Sequence, residues 1–139
     1  MTIPGGRILY IDDDTDAREI VATFFSKEGF DVVCAADPTQ AIDLARGGVF
    51  DLYLVDSWMP GLSGVELTER LRAFDKKTPI LFYSAAAFQS DKNAALSAGA
   101  QGYVVKPAAP ADLIAEIVRL IAKSSIAETV EEVAPDENA

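Results

Sequence analysis

The stretch Arg7-Ile-Leu-Tyr-Ile-Asp-Asp-Asp14 joins a short apolar run to three consecutive carboxylates, and it indicates the fold of the whole chain. Four further apolar runs follow it, at Asp31–Ala35, Asp51–Val55, Pro79–Tyr83 and Gly102–Val105. Most of their residues are apolar at successive positions, which is typical of strands buried on both faces of a parallel sheet. The sequence therefore predicts five buried strands.

The segments between these runs carry the start and stop signals of helices. Asp37-Pro38 offers an N-cap followed by a proline at the first helical position, and Ser63-Gly-Val-Glu66 forms a capping box. An Ala-rich fourth helix is predicted around Ser90–Ala98, and Pro110 opens the fifth helix. Five strands alternating with five helices predict a doubly wound α/β domain of the (βα)5 type, with a parallel sheet and helices on both faces.

The composition excludes several classes of function. The 139 residues include 22 acidic and 12 basic side chains, for a net charge of −10, which argues against binding nucleic acid through its phosphates. The absence of histidine removes imidazole nucleophiles, bases and phospho-carriers, and the single cysteine, Cys34, cannot form an internal disulfide. No uncharged run approaches the ~20 residues of a membrane span. We therefore expect a cytoplasmic chain without a signal peptide or membrane insertion.

The acidic residues are unevenly distributed. The segment Ser124–Ala139 contains five acidic residues and no basic one, with few large apolar side chains. We predict a folded domain over residues 1–123 and an acidic, disordered C-terminal tail over residues 124–139.

Polar side chains follow four of the five predicted strands at the point where each strand ends. They are Asp12-Asp13-Asp14 after the first strand, Asp56 after the third, Ser84 after the fourth and Lys106-Pro107 after the fifth. Because the carboxyl ends of parallel strands meet at one edge, these groups should converge there. Carboxylates that repel one another in an oxygen-lined site suit Mg²⁺, and Mg²⁺ with a lysine and a hydroxyl suits phosphoryl transfer.

Four stretches together resemble the receiver domain of two-component response regulators, in the order and spacing of that family. They are Ile8–Asp14, Asp56-Ser-Trp-Met-Pro-Gly-Leu-Ser-Gly-Val-Glu66, Ser84-Ala85 and Ala98-Gly-Ala-Gln-Gly-Tyr-Val-Val-Lys-Pro107. The resemblance covers roughly residues 6–123 and implies a flavodoxin-like sheet with strand order 2-1-3-4-5.

The resemblance also implies a role for each matched residue. Asp56 matches the phospho-acceptor, and Asp12 and Asp13 match the acid pair that holds Mg²⁺, with the backbone carbonyl of Trp58 as a further metal contact. Asp14 lies just beyond the matched pair and is predicted only to start the first helix.

The remaining matched residues belong to the response to phosphorylation. Lys106 and the switch hydroxyl of Ser84 match the groups that bind the phosphoryl oxygens, and Tyr103 matches the switch aromatic. The Lys106-Pro107 peptide matches one that is usually cis. Trp58 and Ala86 stand where many members have polar groups, so we predict that they slow the loss of the phosphoryl group.

The implied partners are a sensor histidine kinase or a histidine phosphotransfer protein, which donates the phosphoryl group, and a downstream protein target. The resemblance implies signalling through the face formed by the fourth helix, fifth strand and fifth helix (α4-β5-α5), a face that could also form a homodimer. The chain would then catalyse only its own phosphorylation and slow dephosphorylation. It would act either as a stand-alone receiver or as part of a protein with a separate output domain.

Two other functions stay open at this point. A haloacid-dehalogenase-like Mg²⁺ phosphatase also uses aspartates, a hydroxyl and a lysine, and Asp12-Asp13-Asp14 contains an Asp-x-Asp. That class needs a further acidic pair after its lysine, where the predicted domain offers only Asp112 and Glu116. A pseudo-receiver would use the same fold as an interaction module without phosphorylation.

Overall fold

Ten elements alternate between strand and helix along the chain. The structure is a computed structural model that describes the backbone of residues 6–137 and the side chains of residues 6–124. The elements are β1 (Gly6–Ile11), α1 (Thr15–Lys27), β2 (Phe30–Ala35), α2 (Pro38–Gly47), β3 (Leu52–Val55), α3 (Gly64–Arg72), β4 (Ile80–Ser84), α4 (Gln89–Ala98), β5 (Gly102–Val105) and α5 (Pro110–Glu137).

The five strands form one parallel sheet in the order β2-β1-β3-β4-β5. The predicted fold class and strand order are therefore confirmed. The chain starts at β1, continues to β2 at one edge of the sheet, and then crosses to β3 on the other side of β1. This reversal places a crevice at the carboxyl ends of β1 and β3, where ligands bind in sheets of this kind.

Alternation along each strand divides the core between the two faces of the sheet. Leu9 and Ile11 pack with α2, α3 and α4, whereas Ile8 and Tyr10 pack with α1 and α5. Both faces are covered, which explains why the strands are apolar at nearly every position.

The helix starts follow the capping signals in the sequence. The side chain of Asp14 accepts hydrogen bonds from the backbone N–H groups of Asp16 and Ala17. The side chain of Asp37 caps α2, and Ser63 and Glu66 form the reciprocal capping box of α3. The predicted role of Asp14 as the start of the first helix is confirmed.

The last helix, α5, continues to Glu137 and so extends into the segment predicted as an acidic tail. No proline or glycine interrupts the sequence between Pro110 and Pro135, which is compatible with a continuous helix. The domain boundary at residue 123 stays a prediction. No described helix combines the length and apolar character that crossing a bilayer requires.

Candidate functional site

The carboxylates of Asp12, Asp13 and Asp56 meet at the carboxyl ends of β1 and β3. A ligand oxygen from each of the three lies within 4.8 Å of the others. Backbone hydrogen bonds hold the two strand ends in place, from Asp12 N to Ala35 O (3.2 Å) and from Asp56 N to Ile11 O (3.1 Å). The sheet therefore brings together carboxylates that are far apart in sequence.

The three carboxylates line an open cavity of about 650 Å³, together with Asp14, Trp58 and Lys106. Asp12 forms its buried floor, whereas Asp13 is exposed and the Trp58 side chain stands at the rim with 79% of its surface exposed. A larger groove of about 970 Å³ lies beside α2, but the described residues that line it form no comparable carboxylate cluster. The chemistry therefore points to the smaller cavity.

Lys106 carries the positive charge of the cavity. Its Nζ lies 3.3 Å from Oδ2 of Asp12, and the Lys106 side chain is 27% exposed. Nζ also lies 4.9 Å from the ring centroid of Tyr83. One ammonium group does not neutralise three carboxylates, so the site retains an excess of negative charge.

The two inner carboxylates respond differently to this environment. Burial raises the pKa of Asp56 to about 6. The positive charge of Lys106 lowers this pKa, whereas the negative charge of Asp12 raises it further. Backbone hydrogen bonds from Trp58 and Ser57 also lower it. At Asp12, burial also acts to raise the pKa. Hydrogen bonds from Tyr10 and from the backbone of Asp14, together with Lys106, outweigh burial and lower that pKa below its usual value.

This donor set fits Mg²⁺. It consists of hard carboxylate oxygens around a cavity with room for water, and the chain contains no histidine that would favour zinc. Burial and the nearby charge of Asp12 raise the pKa of Asp56, and a divalent cation bound beside Asp56 would stabilise its ionised form.

Ser84 and Tyr103 lie beside the cavity and are not among its lining residues. Ser84 is buried, and its hydroxyl accepts a hydrogen bond from Ala86 N at 3.1 Å. The hydroxyl of Tyr103 donates to Ala86 O at 2.6 Å and lies 3.4 Å from Oγ of Ser57. The ring of Tyr103 stacks on that of Phe82, with the two ring centroids 5.6 Å apart. Tyr103 therefore links β5 to the loops that follow β3 and β4.

The backbone around the cavity has two local features, a cis peptide bond and a close approach of two backbone segments. The Lys106–Pro107 peptide bond is cis. A Cβ on Gly64 would lie 2.5 Å from the carbonyl oxygen of Asp56, so only glycine allows α3 to begin this close to the loop that follows β3.

Tyr10 belongs to the site but did not emerge from the sequence analysis. Its hydroxyl donates to Oδ2 of Asp12 at 2.6 Å, from a side chain that is fully buried. The available signal was its spacing, because residues two apart on a strand project from the same face. An aromatic residue on a buried strand was otherwise indistinguishable from core packing.

The match to known proteins covers most of the chain. Residues 8–118 match the family model described as the response regulator receiver domain. The chain is 34% identical over 121 residues to the transcriptional activator protein PfeR of Pseudomonas aeruginosa, an alignment that covers 87% of this chain and 39% of that protein. It spans about half or less of the length of the curated relatives that it matches.

Solved structures give the same result. The Francisella response regulator 1452 receiver domain superposes with a TM-score of 0.81 at 28% identity, over 86% of this chain and 98% of that one. The receiver domain of sensor histidine kinase PA1611 from Pseudomonas aeruginosa superposes with a TM-score of 0.78 at 30% identity, over 85% of this chain and 98% of that one. The latter structure has a magnesium ion coordinated in its active site cleft. With the family model matched over β1 to α5 and an acidic cavity at the expected edge of the sheet, this chain belongs to the response regulator receiver domain family.

Proposed function

We propose that Asp56 takes a phosphoryl group from a phospho-histidine on a partner protein, with Mg²⁺, and that the chain then signals through protein contacts. Receiver domains are signalling modules rather than classical enzymes, and they imply a histidine kinase as partner. The observation that carries the proposal is the convergence of three carboxylates within 4.8 Å, with Nζ of Lys106 at 3.3 Å from Asp12. Asp56 is the inner carboxylate of this cluster that comes from β3 and remains partly open to the cavity.

The proposed step forms one bond and breaks one bond. An ionised carboxylate oxygen of Asp56 attacks the phosphorus, and the P–N bond to the donor imidazole breaks with its electron pair going to nitrogen. The ring, protonated beforehand on its second nitrogen, leaves as neutral imidazole, and Asp56 becomes an acyl phosphate. Lys106 neutralises charge on a phosphoryl oxygen.

Asp12, Asp13, Asp56 and the backbone carbonyl of Trp58 are the groups that would hold Mg²⁺. The bound ion supplies positive charge to the phosphoryl oxygens and offsets the repulsion between the carboxylates and the incoming anion. Asp12 orients this site from its buried position, and the exposed Asp13 faces the cavity from the rim.

The response is proposed to pass through Ser84 and Tyr103. A phosphoryl group on Asp56 would draw the Ser84 hydroxyl away from Ala86 N, its partner at 3.1 Å. Tyr103 is bonded to the carbonyl of the same Ala86, so the loop between β4 and α4 connects the two residues. The α4-β5-α5 face would then contact a cytoplasmic target or a second copy of the chain.

Chemical phosphorylation tests the proposal. The chain is incubated with Mg²⁺ and a small acyl phosphate donor, and intact mass and peptide mapping locate the label. We expect one base-labile phosphoryl group on Asp56, no label in Asp56→Asn, and normal labelling in Asp43→Asn, which removes an exposed carboxylate on α2.

Two further assays, with a phosphate ester and with beryllofluoride, separate the two other functions. Repeated turnover of a phosphate ester with Mg²⁺ would support a haloacid-dehalogenase-like phosphatase. A chain that neither becomes labelled nor binds beryllofluoride, or one that binds it equally after Asp56→Asn, would support a pseudo-receiver.

A further inference from the structure

A buried phenol lies directly beneath the acidic cavity. Tyr10 is fully buried in β1 and packs in the core beneath α1 and α5. Its hydroxyl donates to Oδ2 of Asp12 at 2.6 Å. A short hydrogen bond from a neutral donor to a buried carboxylate is among the stronger polar contacts in a protein. Asp12 therefore receives one of its hydrogen bonds from the core side of the site.

The same carboxylate oxygen has a second donor. Nζ of Lys106 lies 3.3 Å from Oδ2 of Asp12, while Oδ1 of Asp12 accepts the backbone N–H of Asp14 at 3.0 Å. The two donors to Oδ2 differ in mobility. Tyr10 is held by the core on all sides, whereas Lys106 reaches the oxygen through a flexible side chain that is 27% exposed.

We infer that Tyr10 is a positioning residue that keeps Asp12 hydrogen-bonded during phosphorylation and so releases Lys106 to the phosphoryl group. This inference rests on the proposed function of Asp56. Lys106 can turn toward a phosphoryl oxygen more readily if Oδ2 of Asp12 does not depend on Nζ as its donor. With Tyr10 present the oxygen still has one donor after Lys106 leaves. Without the Tyr10 hydroxyl, the departure of Lys106 would leave this buried carboxylate oxygen with no hydrogen-bond donor from the described residues, which is strongly unfavourable.

The two states of the site should therefore depend on the Tyr10 hydroxyl to different degrees. Before phosphorylation, Lys106 still donates to Oδ2 of Asp12 when the Tyr10 hydroxyl is removed, so this removal should affect Mg²⁺ binding little. In the phosphorylated state Lys106 contacts the phosphoryl group. Removing the Tyr10 hydroxyl should then weaken binding of the phosphoryl group or its mimic, because Oδ2 of Asp12 loses its remaining hydrogen bond.

Tyr10→Phe tests this difference, and Tyr53→Phe is its matched control. Tyr53 is also buried, on β3, and its hydroxyl donates to Oδ2 of Asp75 at 2.6 Å. Tyr53 pairs with Ile80 at the start of β4, at the edge of the sheet opposite the acidic cavity. The two substitutions thus remove the same chemical contact, one beside the site and one away from it.

Fluorescence of Trp58, the only tryptophan in the chain and a lining residue of the cavity, reports both ligands. We measure Kd for Mg²⁺ alone, and then Kd for beryllofluoride at saturating Mg²⁺, as a mimic of the phosphorylated state. For Tyr10→Phe we expect on the order of tenfold weaker beryllofluoride binding, with the Kd for Mg²⁺ changed less than about threefold. Tyr53→Phe should change both values less than about twofold.

Each outcome has a distinct meaning. If wild type fails to bind beryllofluoride, the proposed function fails. If wild type binds it and Tyr10→Phe binds it equally well, or loses both ligands equally, the positioning role of Tyr10 is refuted.

A measurement on the wild-type chain covers the case in which Tyr10→Phe does not fold. The hydrogen-bonded hydroxyl proton of Tyr10 is followed by proton NMR and distinguished from that of Tyr53 with Tyr53→Phe. We expect the resonance to persist and move downfield when beryllofluoride binds, since Tyr10 then becomes the remaining donor to Oδ2. Its loss through faster exchange with water would overturn the inference.

Discussion

Asp56 should make the chain less stable at neutral pH when no cation is bound. Burial raises its pKa from 3.8 to about 6, a difference of about two units. At about 1.36 kcal/mol per unit this corresponds to about 3 kcal/mol, and screening of this partly exposed carboxylate reduces it to about 1–2 kcal/mol. Asp56→Asn removes the ionised carboxylate and should therefore raise the free energy of unfolding by this amount.

The sign of the pH dependence follows from the raised pKa. The folded chain binds a proton at Asp56 more tightly than the unfolded chain does, so this group stabilises the fold at low pH. That contribution is lost as pH rises through about 6. The advantage of Asp56→Asn should consequently be largest near pH 7.5 and should shrink by about 1 kcal/mol near pH 5, where wild type recovers the proton.

Urea denaturation in the presence of a chelator measures the gain in the free energy of unfolding and its change between pH 5 and pH 7.5. In thermal unfolding at pH 7.5, this gain corresponds to a rise in Tm of roughly 4–8 °C. Added Mg²⁺ should stabilise wild type more than Asp56→Asn, because only wild type keeps all three carboxylates, and the difference between them should narrow.

Asp43→Asn controls for net charge. It removes one negative charge from the exposed side of α2, outside the acidic cavity. An equal gain from Asp43→Asn would mean that general charge repulsion is responsible. A gain from Asp56→Asn that is absent, or that is the same at both pH values, would refute the reasoning from burial.

Three further substitutions test other parts of the structure. Trp58→Asn should speed loss of the phosphoryl group several-fold, measured by decay of the labelled chain, because an open polar rim admits water where the exposed indole now stands; an unchanged or slower decay would contradict this. Arg72→Leu should lower the free energy of unfolding, measured by urea denaturation, by about 2–4 kcal/mol and leave the Mg²⁺ affinity unchanged. The Arg72 guanidinium donates to three backbone carbonyls and one side-chain amide oxygen, at the edge of the sheet opposite the cavity. A loss below about 1 kcal/mol would show that these hydrogen bonds are dispensable. Gly64→Ala should weaken Mg²⁺ binding about tenfold, as measured by Trp58 fluorescence, because the added Cβ would press on the carbonyl of Asp56 and move the loop that follows β3. An affinity equal to that of wild type would show that this loop adapts to the added Cβ.

The strands and most helix ends could be predicted because their causes are local. The apolar runs matched the observed strands to within one residue at each end, and the predicted fourth helix at Ser90–Ala98 begins one residue earlier, at Gln89. The capping residues Asp14, Asp37 and Ser63 act through hydrogen bonds to backbone groups only two or three residues away. The end of α5 was harder to predict, because acidic composition does not by itself stop a helix.

The sequence by itself determined which groups could meet, since parallel strands place all their carboxyl ends at one edge. It placed Asp12, Asp13, Asp56 and Lys106 at that edge, together with the negative charge that favours a cation. Only the tertiary structure decided how these groups are paired. Lys106 contacts Asp12, Tyr103 bonds to the loop after Ser84, and Tyr10 reaches Asp12 from the core. The physical reason is that hydrogen bonding and desolvation depend on differences of about 1 Å between side chains distant in sequence, which only the packed sheet and helices establish.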